Sequence, residues 1–84
     1  MSYRVVIERQ ALKQLALIPN PHYNRITQAL KDLAIDPRPH GYKKLKGRLG
    51  YRVRVGAYRI IYSIHDDVLT VFVLLVGNRK DVYE

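Results

Sequence analysis

The chain has no cysteine. That excludes a disulfide staple, a thiol nucleophile and any cysteine-based metal site. It has no apolar run long enough to cross a bilayer and no signal-peptide pattern, so the expected location is the cytoplasm and no membrane partner is expected. No internal repeat, low-complexity tract or linker is visible. No Asp, Glu or His residues stand at metal-ligand spacing, and neither a metal nor another cofactor is expected. His22, in the first turn of a helix, and His65, beside a tight turn, read as solvated surface residues; His40, in the basic loop, reads as polar filler, with an RNA contact as the alternative. Asp66 and Asp67 read as turn formers. Asp81 and Glu84, flanked by Arg79 and Lys80, read as members of local ion pairs.

Acidic residues are scarce as well, seven against fifteen Lys and Arg, for a net charge of +8. The shortage is local. Between Arg38 and Arg59 there is no Asp or Glu, yet Arg38, Lys43, Lys44, Lys46, Arg48, Arg52, Arg54 and Arg59 all lie there, eight of the fifteen basic residues. The flanks are close to balanced. The net charge is therefore nearly that of one segment, and a concentrated basic face attracts polyanions, nucleic acid foremost. Lys43, Lys44, Lys46 and Arg48 read as phosphate-tracking residues for RNA.

Within that segment the pattern Tyr51-Arg52-Val53-Arg54-Val55, Gly56-Ala57, Tyr58-Arg59-Ile60-Ile61-Tyr62 alternates apolar and polar residues on both sides of a Gly-X pair. That predicts a two-residue hairpin. Val55 then faces Tyr58, Val53 faces Ile60 and Tyr51 faces Tyr62, all toward the core. The three tyrosines are thus core residues. On the other face Arg54 meets Arg59, with Arg52 two residues along. Like charges directly opposite are destabilising. Converging guanidinium groups suit a bound anion, because their forks match phosphate oxygens. The plainer alternative is a solvated cationic face whose long side chains splay apart.

Eighty-four residues make one small domain, residues 1–84, with a single core. Residues 3–7 read as a strand. Residues 8–18 carry Ala11, Leu12, Leu15 and Ile18 on one helical stripe. Pro19-Asn20-Pro21 breaks that helix, with Asn20 as the expected N-cap of the next. Tyr23, Ile26, Leu30 and Leu33 mark the second helix, stopped near Asp36-Pro37. Residues 37–50 read as a loop holding a short strand piece at 42–45. The arginine hairpin follows, then a turn at Asp66-Asp67. Residues 68–76 form a strand apolar on both faces, which belongs mid-sheet, between the first strand and the hairpin. The expected fold is α+β with the order β-α-α-β-β-β. A helical hairpin packs on one face of a mostly antiparallel four-stranded sheet, and the arginine face is left open.

The stretches "KKLKGRLGYRVRVGAYRIIYSI" and "VFVLLVGNRKDVY", preceded by "ERQALKQL", resemble the RelE toxins of the RelE/ParE superfamily over nearly the whole chain. The "KLKG" element, the "YRVRVGxYRIIY" hairpin and the "VGxRxxVY" ending carry the likeness. The resemblance implies a RelE-like fold and a ribosome-dependent endoribonuclease that cleaves messenger RNA in the ribosomal A site. In such toxins the RNA's own 2′-hydroxyl attacks without a metal and leaves a 2′,3′-cyclic phosphate. By motif, Arg52, Arg54, Arg59, Arg79 and Tyr83 are similar to the family's active-site residues. Implied partners are an acidic antitoxin, the ribosome and its messenger, and operator DNA bound only together with the antitoxin. Some relatives carry Lys where this chain has Arg52 and Arg54. An arginine does not give up its proton in proteins, so the general base stays open and Tyr83 is one candidate. Two other classes remain: a ParE-like toxin that acts on DNA gyrase, and a non-catalytic nucleic-acid-binding module.

Overall fold

A computed structural model describes residues 2–78. In chain order these form β1 (Arg4–Ile7), α1 (Arg9–Ala16), α2 (His22–Ile35), β2 (Lys43–Lys44), β3 (Tyr51–Val55), β4 (Tyr58–His65) and β5 (Thr70–Asn78). The strands make one sheet in the order β1-β5-β4-β3-β2. The pair β1–β5 is parallel and the other three are antiparallel. The sheet thus has five strands where the sequence predicts four. The short strand piece of the basic loop shrinks to two residues, Lys43 and Lys44, and adds to β3 as an edge.

The central place of β5 follows from its composition. Val71, Val73 and Val76 are fully buried on the helix side. Phe72, Leu74 and Leu75 extend the apolar character to its other side, where Leu74 and Leu75 pack with Leu45 and Ile61. A strand with no polar face needs neighbours on both edges and cover on both faces. The main core sets Ala11, Leu15, Ile26, Leu30 and Leu33 of the helices against Ile60, Tyr62 and the three valines. A register irregularity between Ile61 and Tyr62 makes room for Leu74 as an extra residue of β5.

β5 outlasts β1. Beyond Val73 no strand among the described residues pairs with its outer edge, and there Gln14 of α1 accepts a hydrogen bond from the Val76 amide at 2.8 Å. The N-terminus of α2 differs from expectation. Pro21, not Asn20, occupies the N-cap position, and no side chain caps the helix. His22, expected in solvent, is half-buried with its ring 5.2 Å from that of Tyr58.

Two ties hold the loop that leads into β2. The buried Tyr62 hydroxyl donates to the Pro37 carbonyl at 2.8 Å. Arg38 forks onto Asp66, at 3.2 Å and 2.8 Å, and Tyr3 donates to the same carboxylate. Asp66 is thus more than a turn former, although it does open the short 3-10 turn Asp66–Val68. The Arg38 guanidinium and the Tyr3 hydroxyl hold its carboxyl at about 2, below the usual range. Burial pushes the Tyr62 phenol above the ordinary tyrosine value.

Candidate functional site: the arginine face of the sheet

The hairpin forms in the register that its alternation predicts. Tyr51 pairs with Tyr62, Val53 with Ile60, Arg54 with Arg59 and Val55 with Tyr58. Gly56 takes a positive φ of 61°, which suits the first position of a type II′ turn and which a side chain would strain. The three tyrosines lie in or against the main core. The arginines share the other face, away from both helices.

That face can be laid out in rows. Arg54, Arg59 and Gly77 sit side by side on β3, β4 and β5. The next row is Lys43, Arg52, Ile61 and Leu75. The face is less open than predicted, for a physical reason. Residues 45–50 fold back over it, and the buried Leu45 packs on Ile61. Gly50 fits beneath this cover because a Cβ there would lie 3.2 Å from both Leu45 Cδ1 and the Tyr62 carbonyl oxygen.

The predicted site residues therefore take different stations. Arg54 is exposed and Arg59 half-buried, directly opposite one another. Arg52 keeps only 4 % of its surface. It stands in the next row along, between Lys43 and Ile61, and is buried there. Lys43 is exposed on the arginine face beside Arg52. Lys44 pairs with Tyr51 and so points to the opposite face. Lys46 and Arg48 are exposed on the covering loop. Arg79 and Tyr83 lie outside the described residues, as do Asp81 and Glu84. Arg38 belongs to the Asp66 clasp and not to the arginine row. Among the described residues no three of His, Cys, Asp and Glu gather where they would hold a metal ion.

Sequence reading missed the far end of the same face. Ser63 and Phe72 are register partners there, and His65 stands edge-on to Phe72 with ring centroids 5.1 Å apart. Alternation from Val71 and Val73 was the available signal, since it sends Phe72 away from the core.

An exposed and a half-buried arginine, directly opposite on the sheet, bring two guanidinium groups side by side, and guanidinium forks match the oxygens of carboxylates and phosphates. Residues 5–83 match the family described as ParE toxin of type II toxin-antitoxin system, parDE. The chain belongs to the RelE/ParE superfamily of type II toxin–antitoxin toxins. The solved structures agree. RelE in the archaeal RelE–RelB complex from Pyrococcus horikoshii OT3 is 33 % identical over 98 % of this chain and 100 % of its own, with a TM-score of 0.84. The toxin–antitoxin complex RelBE2 from Mycobacterium tuberculosis is matched at 28 % identity, 94 % and 100 % coverage and a TM-score of 0.83. The intact E. coli RelBE complex is matched at 25 %, with 92 % and 96 % coverage and a TM-score of 0.75. No curated protein sequence matches the chain.

Proposed function

We propose that this superfamily toxin is a ribosome-dependent endoribonuclease that cuts messenger RNA in the A site and so halts translation. The observation that carries the reading is the Arg54–Arg59 pair on the sheet face that the helices leave uncovered. Two guanidinium forks side by side offer donors in the geometry that phosphate oxygens accept. The messenger's 2′-hydroxyl attacks the adjacent phosphorus, the 5′-oxygen of the next nucleotide leaves, and a 2′,3′-cyclic phosphate remains. Charge builds on the phosphorane as the bond to the attacking oxygen forms, and cations already in place stabilise it. Arg59 and Arg54 hold the phosphate oxygens. The buried Arg52 acts through its field and by holding its neighbours in place. Arg79 and Tyr83 complete the set in this proposal, with Tyr83 moving a proton at the attacking or the leaving oxygen. The chemistry is metal-independent.

The partner in the cell is an acidic antitoxin that neutralises the basic face, and operator DNA is bound only by the two proteins together. The three solved relatives are all toxin–antitoxin complexes, which supports this reading. Residues 1–84 act as one toxin domain in the cytoplasm. The described helices are too short or too polar to cross a membrane.

One observation favours a second reading. The matching family is that of ParE toxins, and a ParE-like action would fall on DNA gyrase without RNA cleavage. Purified protein incubated with translating ribosomes separates the two. New messenger ends in the A site, carrying a 2′,3′-cyclic phosphate, support the ribonuclease. Intact messenger together with gyrase-dependent DNA breaks supports the other. A 3′-hydroxyl with a 5′-phosphate would instead show that an activated water attacked.

A further inference from the structure

The arginine face does not end at the arginines. Along β4 the residues on that side run Arg59, Ile61, Ser63 and His65. At the far end Phe72 of β5 lies between Ser63 of β4 and Val6 of β1, and the next row holds Arg4, Thr70 and His65. Phe72 is the only phenylalanine in the chain. It is half-buried on this outer face, while every fully buried ring or aliphatic side chain of the main core lies on the other. His65 is exposed and its ring meets that of Phe72 at 89°. Ser63 Oγ lies 3.1 Å from His65 Nε2 and fixes the ring's orientation. Two perpendicular rings form a right-angled notch, and the exposed Arg4 stands beside it.

We infer that Phe72 and His65 form a stacking platform for a base of single-stranded RNA whose phosphate, further along the strand, rests on Arg54 and Arg59. The inference rests on the reading of the arginine face as an RNA site. An aromatic ring on an otherwise aliphatic strand offers a π-face to any base, and cations on either side track the backbone. Arg59 and Ser63 are four residues apart on one strand, a separation of ~13 Å. An RNA strand crossing the sheet diagonally thus meets both stations. The platform contributes affinity and the path of the strand, not bond cleavage.

The probe is a 2′-O-methylated RNA octamer, which cannot be cleaved, with a 2-aminopurine placed at each position in turn. Anisotropy gives affinity, and 2-aminopurine quenching reports stacking on a ring. Quenching at one position is expected with the unaltered protein. Phe72→Leu, which keeps the apolar bulk and removes the π-face, should abolish that quenching. Affinity should fall by roughly 5- to 160-fold, the range for a single lost base–aromatic stack. Phe72→Tyr should restore both. Circular dichroism confirms that each variant is folded. If Phe72→Leu binds like the unaltered protein, or no quenching depends on Phe72, the platform does not exist. If Arg59→Ala leaves binding unchanged while Phe72→Leu weakens it, the platform stands and the phosphate role of the arginines fails. If no RNA binds at all, the platform falls, while the ribosome-dependent reading stands or falls with the cleavage assay on translating ribosomes.

Discussion

Tyr62→Phe is the cleanest perturbation of the frame behind the basic loop. It keeps the ring, and with it the contact to the Tyr51 ring at 6.1 Å. It removes only the hydroxyl that donates to the Pro37 carbonyl from a fully buried residue. A neutral hydrogen bond contributes about 0.5–1.5 kcal/mol net, and a buried carbonyl left without a partner costs about 1–3 kcal/mol. Pro37 is itself buried, so we expect a loss of ~1–2 kcal/mol. For 84 residues, at ~2.1 cal/mol/K per residue, the unfolding entropy is ~0.18 kcal/mol/K, and Tm should fall by ~6–11 °C. Scanning calorimetry on the two proteins measures this. The pH dependence is a second check. The phenol's pKa is raised in the fold, so its contribution is complete below the unfolded value of about 10 and is lost as pH rises past it. The substitution should remove that alkaline decline. An unchanged Tm would show that water satisfies the Pro37 carbonyl and that the bond does not anchor the loop.

The other predictions concern charge and chemistry. Arg59→Ala should abolish ribosome-dependent cleavage and growth arrest in a protein that still folds; cleavage at the normal rate by the folded variant would remove Arg59 from the site. Tyr83→Phe should slow single-turnover cleavage by on the order of a hundredfold if the hydroxyl moves a proton; a fully active Phe variant beside an inactive Ala variant would assign the ring to stacking instead. Asp66, with its pKa depressed to about 2 by Arg38 and Tyr3, contributes stability that is present above the unfolded carboxylate value and lost as pH falls toward 2. Asp66→Asn should flatten that acid limb in an unfolding titration, and an unaltered limb would mean that the clasp does not matter to folding. Expression of this chain without its antitoxin should arrest growth, and normal growth at high soluble levels would contradict the toxin reading.

The parts of this fold written in local pattern were legible. Strict alternation about Gly56 fixed the hairpin register, residue by residue, and the doubly apolar β5 announced its central position. Long-range packing was less legible. Nothing near Ile61 indicates that Leu45 folds over it, because that cover depends on a loop through Gly47 and Gly50. Asp66 looks like a turn residue in sequence, and its partner Arg38 lies 28 residues away. The helix start at Pro21 overrode a good capping residue. For the site, the arginine pair was readable as a repulsion needing an explanation. Phe72 was not singled out because a strand apolar on both faces hides which apolar residue is the odd one.

The parallel pairing of β1 with β5 joins the first strand to the last one described. During synthesis β5 emerges after every element it joins. Until it does, β1 has no neighbour and β4 lacks one of its two, so the sheet is incomplete and Arg59 has no Gly77 beside it. Non-local closure of this kind is slow, and it cannot begin while β5 is still inside the exit tunnel. The row that sets Arg59 beside Gly77 is therefore completed only after every other described element has been made.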